Sequence, residues 1–379
     1  MRQQNPATNR ALWLSSFTSP LELVNLPIPD ATAGSVVVEV LDSTIVPYAD
    51  DIHKGHLPQL NLKLPLVPNP ASIGRVRAVG PDAVTLKPGD LVYFDPFVVS
   101  RDDKSVTIIQ GHHGGEGDKG FKLMEGEWRD GSLQQYQKIP LENAILLDDD
   151  RLVKQLGYTP AELQEIPYYA MAVGALIEAA KLQASETVII GPATGTFGGA
   201  ACELALALGA RVVALGRSKD KLDILRQQLG DHERFSTVVM TGDNKVDELA
   251  VRAATPGGHG ADVFNDWTAG ALKSPPFFAA GLAAVKTNGR VVLSGGASGT
   301  VEIPYVHIMH ANITISGKWG TDPSGIKLTI KLVESDLIKL GRRGGAEHTV
   351  FSLDEHESAF QVAKEKGGFK QYYSIAPNL

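Results

Sequence analysis

Cysteine is nearly absent. Cys202 is the sole one in 379 residues. One thiol excludes an intramolecular disulfide, and it excludes any metal site that needs two thiolates from the same chain. Long apolar runs are missing too. None reaches the roughly 18 residues of a membrane helix. The stretch Met1–Ser16 lacks the basic-then-apolar order of a secretory signal. Charge of one sign does not dominate: 43 acidic against 36 basic residues give a formal net of -7. That mild acidity gives no reason to expect nucleic acid as a partner. The expectation is a soluble, cytoplasmic protein with no membrane partner. What is present fits that reading, with 43% hydrophobic and 21% charged residues, the balance of a globular chain. The length leaves room for two to three domains and a large core.

Three textures follow one another along the chain. From Ala11 to Leu147, short apolar stretches alternate with turn signals. Ser35–Val40, Gly74–Val79 and Leu91–Phe94 read as strands, the last one after the turn Lys87-Pro-Gly-Asp90. This part predicts a small barrel or sandwich. Pro160–Ala184 is alanine-rich and helix-friendly. After it, strands (Thr187–Ile190, Val212–Leu215, Thr237–Met240, Asp262–Phe264, Arg290–Leu293, Ile313–Ser316) alternate with helices (Gly198–Leu208, Lys219–Leu229, Val246–Ala253, Phe277–Val285). That alternation predicts an α/β fold with a doubly wound parallel sheet. The tail predicts two more helices, Ser324–Leu340 and Asp354–Lys366, around the turn Gly341–Gly345. The tail is expected to return to the first domain.

The most informative segment is Thr187-Val-Ile-Ile-Gly-Pro-Ala-Thr-Gly-Thr-Phe-Gly-Gly-Ala200. It holds Ala193-x-Gly195-x-x-Gly198, a relative of the dinucleotide fingerprint, between a strand and a helix. Thr194, Gly195, Thr196, Phe197 and Gly198 then form a turn whose amides and helix N-terminus face a pyrophosphate. Gly198 and Gly199 are expected to let the helix pack closely on its strand. An NAD site usually places an acid about 20 residues on, at the end of the second strand. Gly216 stands there instead, followed by Arg217, Ser218 and Lys221. No carboxylate repels a 2′-phosphate, and a guanidinium can bind one bidentately. The expected cofactor is therefore NADPH. The alternative is that Arg217 and Lys221 are ordinary solvated residues at a helix start.

Over almost its full length the chain resembles the medium-chain dehydrogenase/reductases, in their zinc-independent quinone and enoyl reductase branch. More narrowly, it resembles fungal alcohol-dehydrogenase-like proteins. Gly74-Arg-Val-Arg-Ala-Val-Gly80, Leu86-Lys-Pro-Gly-Asp-Leu-Val92 and Gly126-Glu-Trp-Arg-Asp-Gly131 carry the likeness early on. Gly191–Gly199, Asn288-Gly-Arg-Val-Val-Leu-Ser-Gly-Gly296 and Ile313-Thr-Ile-Ser-Gly-Lys-Trp319 continue it. The resemblance implies a GroES-like β-rich catalytic domain (1–160 with 322–379), a Rossmann domain (161–321) and a cleft between them. It implies hydride transfer from a nicotinamide, homodimers paired through the strand around Ile313–Ser316, and a small apolar substrate. Ser294, Gly295 and Gly296 are implied near the nicotinamide, Lys318 and Trp319 near cofactor or cleft, Asp266 and Trp267 on the adenosine side.

Many relatives carry zinc, and this sequence departs from their pattern. Asp90–Gly111 has no cysteine, which removes the structural site. Tyr48 is the nearest match to a catalytic zinc cysteine, and Pro68-Asn-Pro-Ala-Ser72 replaces the usual histidine and glutamate. Without a Lewis acid, hydride arrival needs a hydrogen-bond donor or proton source. Tyr48 leads as that donor. The alternative is a packed ring with its hydroxyl in solvent. Asp51 and His53 are candidates for orientation or proton relay, with Asp50 open beside Asp51. His307 and His310 are further candidates, though surface or interface histidines fit better there. His112, His113 and Glu116 could in principle bind a metal, but their glycine-rich segment fits a flexible covering loop better. Cys202, in the helix after the glycine turn, fits a buried structural residue. The expected reaction is reduction of an activated C=C or C=O in a quinone, enone or polyketide-like molecule. An NADP-dependent alcohol dehydrogenase or carbonyl reductase, and a non-catalytic NADPH-binding protein, remain open beside it.

Overall fold

The computed structural model describes residues 8–379. Residues 1–7, part of the stretch read for a secretory signal, lie outside the described residues.

Six strands form one parallel sheet in the order Phe235–Val239, Arg211–Gly216, Thr187–Gly191, Ala261–Asp266, Val285–Leu293, Thr314–Gly317. In chain order this reads 3-2-1-4-5-6, the doubly wound pattern. It turns round between the first and fourth strands. Thr187–Gly191 is buried at every position, as a central strand covered by helices on both faces must be. That is why it reads as an unbroken apolar run and not as an alternation.

The second large sheet runs Glu347–Phe351, Gln371–Ile375, Ser35–Ile45, Ser72–Val79, Leu91–Phe94, Ala144–Leu146, with Tyr136–Pro140 also paired to Ser35–Ile45. Its pairings are antiparallel except between the two tail strands. The tail thus completes this second sheet, which the first part of the chain begins. Val36, Val38 and Val40 alternate onto one buried face with Val92, Phe94 and Ile139, while Val37 between them is buried on the other face.

Several helices differ from their sequence expectation, each for a local reason. Pro160–Ala184 is broken into Pro160–Leu163, Ile166–Val173 and a wider turn over Gly174–Ala179. Pro167 lacks the N–H needed to carry an earlier turn forward, so a new helix starts around it. The tail helix stops at Glu334, not Leu340. Asp336 there takes a left-handed φ of 63°, which a continuing helix cannot accommodate. Asp354–Lys366 begins two residues late, at His356. A turn capped by Ser352 and Glu355 precedes it. The helices Gly117–Glu125 and Tyr305–His310 carried no recognisable signal. Helix Pro323–Glu334 follows the expected boundary at 321/322, yet it packs against Ile166–Val173. Its Ile326, Ile330 and Val333 share one core with Val188, Ile190 and Cys202. Cys202 is fully buried, and burial pushes its thiol well above the ordinary range.

Candidate active site

One wall of the cleft is backbone. The strand Thr187–Gly191 ends at the switch point, and the helix Thr196–Ala207 begins five residues later with Gly195 as its cap residue. No side chain caps that end. Its first-turn amides therefore stay available to an anion. A Cβ on Gly195 would meet nothing within 4 Å, so the turn faces open space. Gly198 is different: a Cβ there would lie 2.2 Å from the Pro192 carbonyl oxygen, which makes it the point of closest turn-to-helix approach. Gly199 does not serve the strand. A Cβ on it would lie 2.2 Å from Cγ of Phe369, so its smallness makes room for the tail.

The second strand ends at Gly216. Arg217 is exposed and has no hydrogen bond or ion pair to any described residue. Lys221 is exposed and likewise unpaired through its ammonium group, whereas Lys219 pairs with Asp223. Ser218 caps the next helix by accepting from the Lys221 amide, so its hydroxyl is already engaged. Farther along the sheet, Ser294 and Gly296 tie the loop after the fifth strand to the loop after the fourth. The Ser294 amide donates to the Asp266 carbonyl and the Gly296 amide to that of Thr268. Gly295 is required there, because a Cβ would lie 2.4 Å from the Thr268 oxygen. Asp266 is buried and bonded by Thr268, and burial pushes its carboxyl up. Trp267 stacks on Phe197 at 5.9 Å and 10°. A dinucleotide fits this wall: unfilled space, unpaired amides and two free cations line up along the carboxyl ends of the strands.

The opposite wall is made of side chains. Tyr48 precedes the short helix Ala49–His53. It exposes 36% of its surface, yet the protein around it pushes its phenol up to about 12 by desolvation. Both hold together for a ring on the wall of a concavity. His112 lies against it, edge to face at 6.5 Å. Burial pulls His112 down to about 3, so it is a neutral imidazole. His113 packs on Trp319 at 5.1 Å, and Trp319 meets Phe97 at 5.4 Å. Trp319 thus reaches from the parallel-sheet side across to the β-rich loops. The segment Gly111–Gly117 is not a free loop. Ile109 and His113 exchange backbone hydrogen bonds, and the Gly114 amide donates to the Leu60 carbonyl.

The other expected residues fall elsewhere. Asp51 does not face Tyr48: it accepts from Lys364 at 2.9 Å and contacts His56. Asp50 accepts from Lys54 and Lys364. Both carboxylates are held low, Asp50 by these two lysines against some burial and Asp51 first by Lys364. They fasten their helix to His356–Lys366. His53 is buried against the Phe360 ring at 4.9 Å, and burial pulls it down to about 4. Lys318 turns from the cleft to Glu178 and Asp322. His307 and His310 sit on Tyr305–His310, at the sheet edge and away from Tyr48. Sequence reasoning missed the polar floor beneath Tyr48. There the Tyr168 and Thr44 hydroxyls share a 2.8 Å bond, and Asn69 donates to Ser43 and to the Thr44 carbonyl. Only Asn69 stands in a segment the sequence had marked, and nothing in its local pattern points to this role.

Two family models match this chain. The alcohol dehydrogenase GroES-like domain matches residues 32–149, and the zinc-binding dehydrogenase model matches residues 197–335. Together they span well over half of it, in the order the fold requires. The chain is a medium-chain dehydrogenase/reductase. As a member of that superfamily it is 26% identical over 366 residues to a quinone oxidoreductase-like protein 2 homolog of Nematostella vectensis, covering 94% of this chain and 86% of the relative. It is 25% identical over 299 residues to human quinone oxidoreductase, covering 78% and 75%. Among solved structures it shares its fold with the 2-octenoyl-CoA carboxylase reductase CinF, solved with NADP and 2-octenoyl-CoA. That match has a TM-score of 0.77 at 17% identity, over 98% of this chain and 88% of that one. The dehydrogenase/reductase assignment brings an NAD(P)-binding Rossmann fold with it. Zinc, named in one model's description, finds no donor set here: among the described residues no three His, Cys, Asp or Glu side chains converge as ligands. No helix among them is long and apolar enough to cross a membrane.

Proposed function

We propose that this oxidoreductase uses NADPH, without zinc, to reduce an activated C=C or C=O of a small apolar molecule such as a quinone or enone. The observation that carries the reading is the pairing of two walls. An uncapped, open glycine turn is joined through Phe197, Tyr168 and Thr44 to the part of the chain that carries a protonated phenol, Tyr48. A bound nicotinamide supplies the hydride. Thr194–Gly198 hold the pyrophosphate through backbone amides, and Arg217 and Lys221 receive the 2′-phosphate. Ser294–Gly296 line the inner end of the cleft. Tyr48 keeps its proton at neutral pH, so it can donate to negative charge that develops on oxygen or on the α-carbon. Neutral His112 packs its ring in place. The names of the quinone oxidoreductase relatives and the octenoyl-CoA complex of CinF support an electron-poor, largely apolar substrate.

The test is single-turnover reduction with 4-deuterated NADPH and a panel of quinones, enones and aldehydes. The expected result is one deuterium on the carbon β to a carbonyl, or transfer to a quinone. Label on a carbinol carbon would favour a carbonyl reductase. Tight NADPH binding with no transfer to any acceptor would refute catalysis.

A homodimer is part of the same proposal. Thr314–Gly317 is an open sheet edge. Beside it Tyr305, Val306 and Met309 are exposed at 77%, 60% and 51%. Sedimentation equilibrium is expected to give twice the chain mass, and a monomer at micromolar concentration would refute it.

A further inference from the structure

The helix that faces the cofactor is gripped from behind by two consecutive residues of the tail. Phe369 fills the space that Gly199 leaves. One turn on, Glu203 accepts from the Lys370 ammonium at 2.8 Å. Residues four apart share one helix face, so the pair 199/203 is met by the pair 369/370. The grip is fixed on all sides. Gln228 donates to the Phe369 carbonyl, and the Lys370 carbonyl accepts from the Glu347 amide. Lys370 also donates to the Gly344 carbonyl, and Tyr169 donates to the second Glu203 oxygen.

Two features exceed what packing alone requires. Lys370 has a φ of 61°, a left-handed conformation that a long side chain adopts only where its surroundings impose it. Its side chain is 2% exposed. A well-packed apolar pair in place of Lys370 and Glu203 could serve stability as well as the ion pair does, whereas loss of one partner alone is destabilising. What the charge adds is a fixed position, set at the second turn of the helix.

We propose that Phe369 and Lys370 are positioning residues for dinucleotide binding: they fix the helix Thr196–Ala207 so that its first-turn amides hold their aim at the phosphates. This rests on the cofactor reading above. The tail therefore does more than complete its own sheet; it sets the affinity of a site to which it contributes no ligand.

The experiment compares Lys370→Met and Lys370→Arg with the unmodified chain. It reads NADPH and NADH dissociation constants by fluorescence, and amide exchange of Gly199–Glu203 in cofactor-free protein. Lys370→Met is expected to weaken NADPH about tenfold, with Lys370→Arg recovering to within about threefold. Exchange at Gly199–Glu203, whose amides are hydrogen-bonded within the helix, rises about tenfold in the Met variant, while kcat at saturating NADPH moves less than about twofold. Unchanged affinity and exchange would overturn the proposal. So would an equal rise in exchange across the whole parallel sheet, which marks general destabilisation. If the Met variant does not fold, Phe369→Leu decides, with about threefold weaker NADPH expected and no change overturning it. An unmodified chain that binds neither dinucleotide refutes the cofactor reading and the proposal's binding half together. Amide exchange still shows on its own whether the grip exists.

Discussion

The two walls of the cleft are built by different means. On the parallel-sheet side the binding groups are main-chain amides, placed by a strand end, a glycine turn and a helix start. On the other side they are rings and hydroxyls from separate segments: Tyr48, His112 and Thr44 of the β-rich part, with Trp319 and Tyr168 reaching over to it from the parallel-sheet part. A backbone site tolerates many sequences as long as the glycines remain. A side-chain site changes its chemistry with one substitution. The first wall suits a cofactor shared by a whole superfamily, and the second suits a substrate that differs between members.

Three measurements can break or sharpen that contrast. Tyr48→Phe keeps the ring and removes the proton. A general acid typically contributes 10²–10⁴-fold, so kcat/KM is expected to fall about 100-fold. NADPH affinity should stay within about twofold, because the two walls are separate. An undiminished rate would leave the side-chain wall without its assigned chemistry. Arg217→Ala is next in size. Loss of a charge-assisted contact to the 2′-phosphate is expected to weaken NADPH about tenfold and leave NADH nearly unchanged. Equal losses for both dinucleotides would remove Arg217 from the site. The smallest effect concerns His53, read above as a possible relay and found packed in the core. Its folded value of about 4 lies below its ordinary 6.5. The unfolded chain therefore binds the proton first, and stability present above pH 6.5 is lost as the pH falls towards 4. The slope is about 1 kcal/mol per pH unit in that window. Thermal unfolding of His53→Gln should show a shallower decline between pH 6.5 and 4. An unchanged slope would mean that His53 is not buried neutral.

The backbone wall was legible in the sequence for a physical reason. Strand, glycine turn and helix are local, and the wall's glycines, Gly195 apart, are demanded by a distance of a few ångströms to a chain neighbour or a packed atom. Gly198 illustrates this. Gly199 marks the limit, because its partner Phe369 lies 170 positions away. The side-chain wall was legible only where a known pattern pointed at it, as with Tyr48. Asp51 shows why proximity in sequence misleads: three residues from Tyr48, it sits on the face of a helix turned to Lys364. Residues next to one another on a helix point about 100° apart, so neighbours of a catalytic residue are poor candidates by default. His112 shows the converse. It reaches Tyr48 from 64 positions on, through a turn whose closure by Ile109 no local signal announced.

The pairing of Tyr373 with Ile45 and of Ile375 with Ser43 bears on how this protein is made. Ser43–Ile45 leads directly into the loop that carries Tyr48. During synthesis that stretch emerges long before the strand it pairs with. The parallel-sheet unit between them is contiguous in the chain and can close in the meantime. A growing chain therefore holds the strands of the parallel sheet beside a Tyr48 loop whose own sheet is still incomplete. Until Gln371–Ile375 pairs with it, the end of the strand before Tyr48 is an unpaired edge, and that edge is what a chaperone would find.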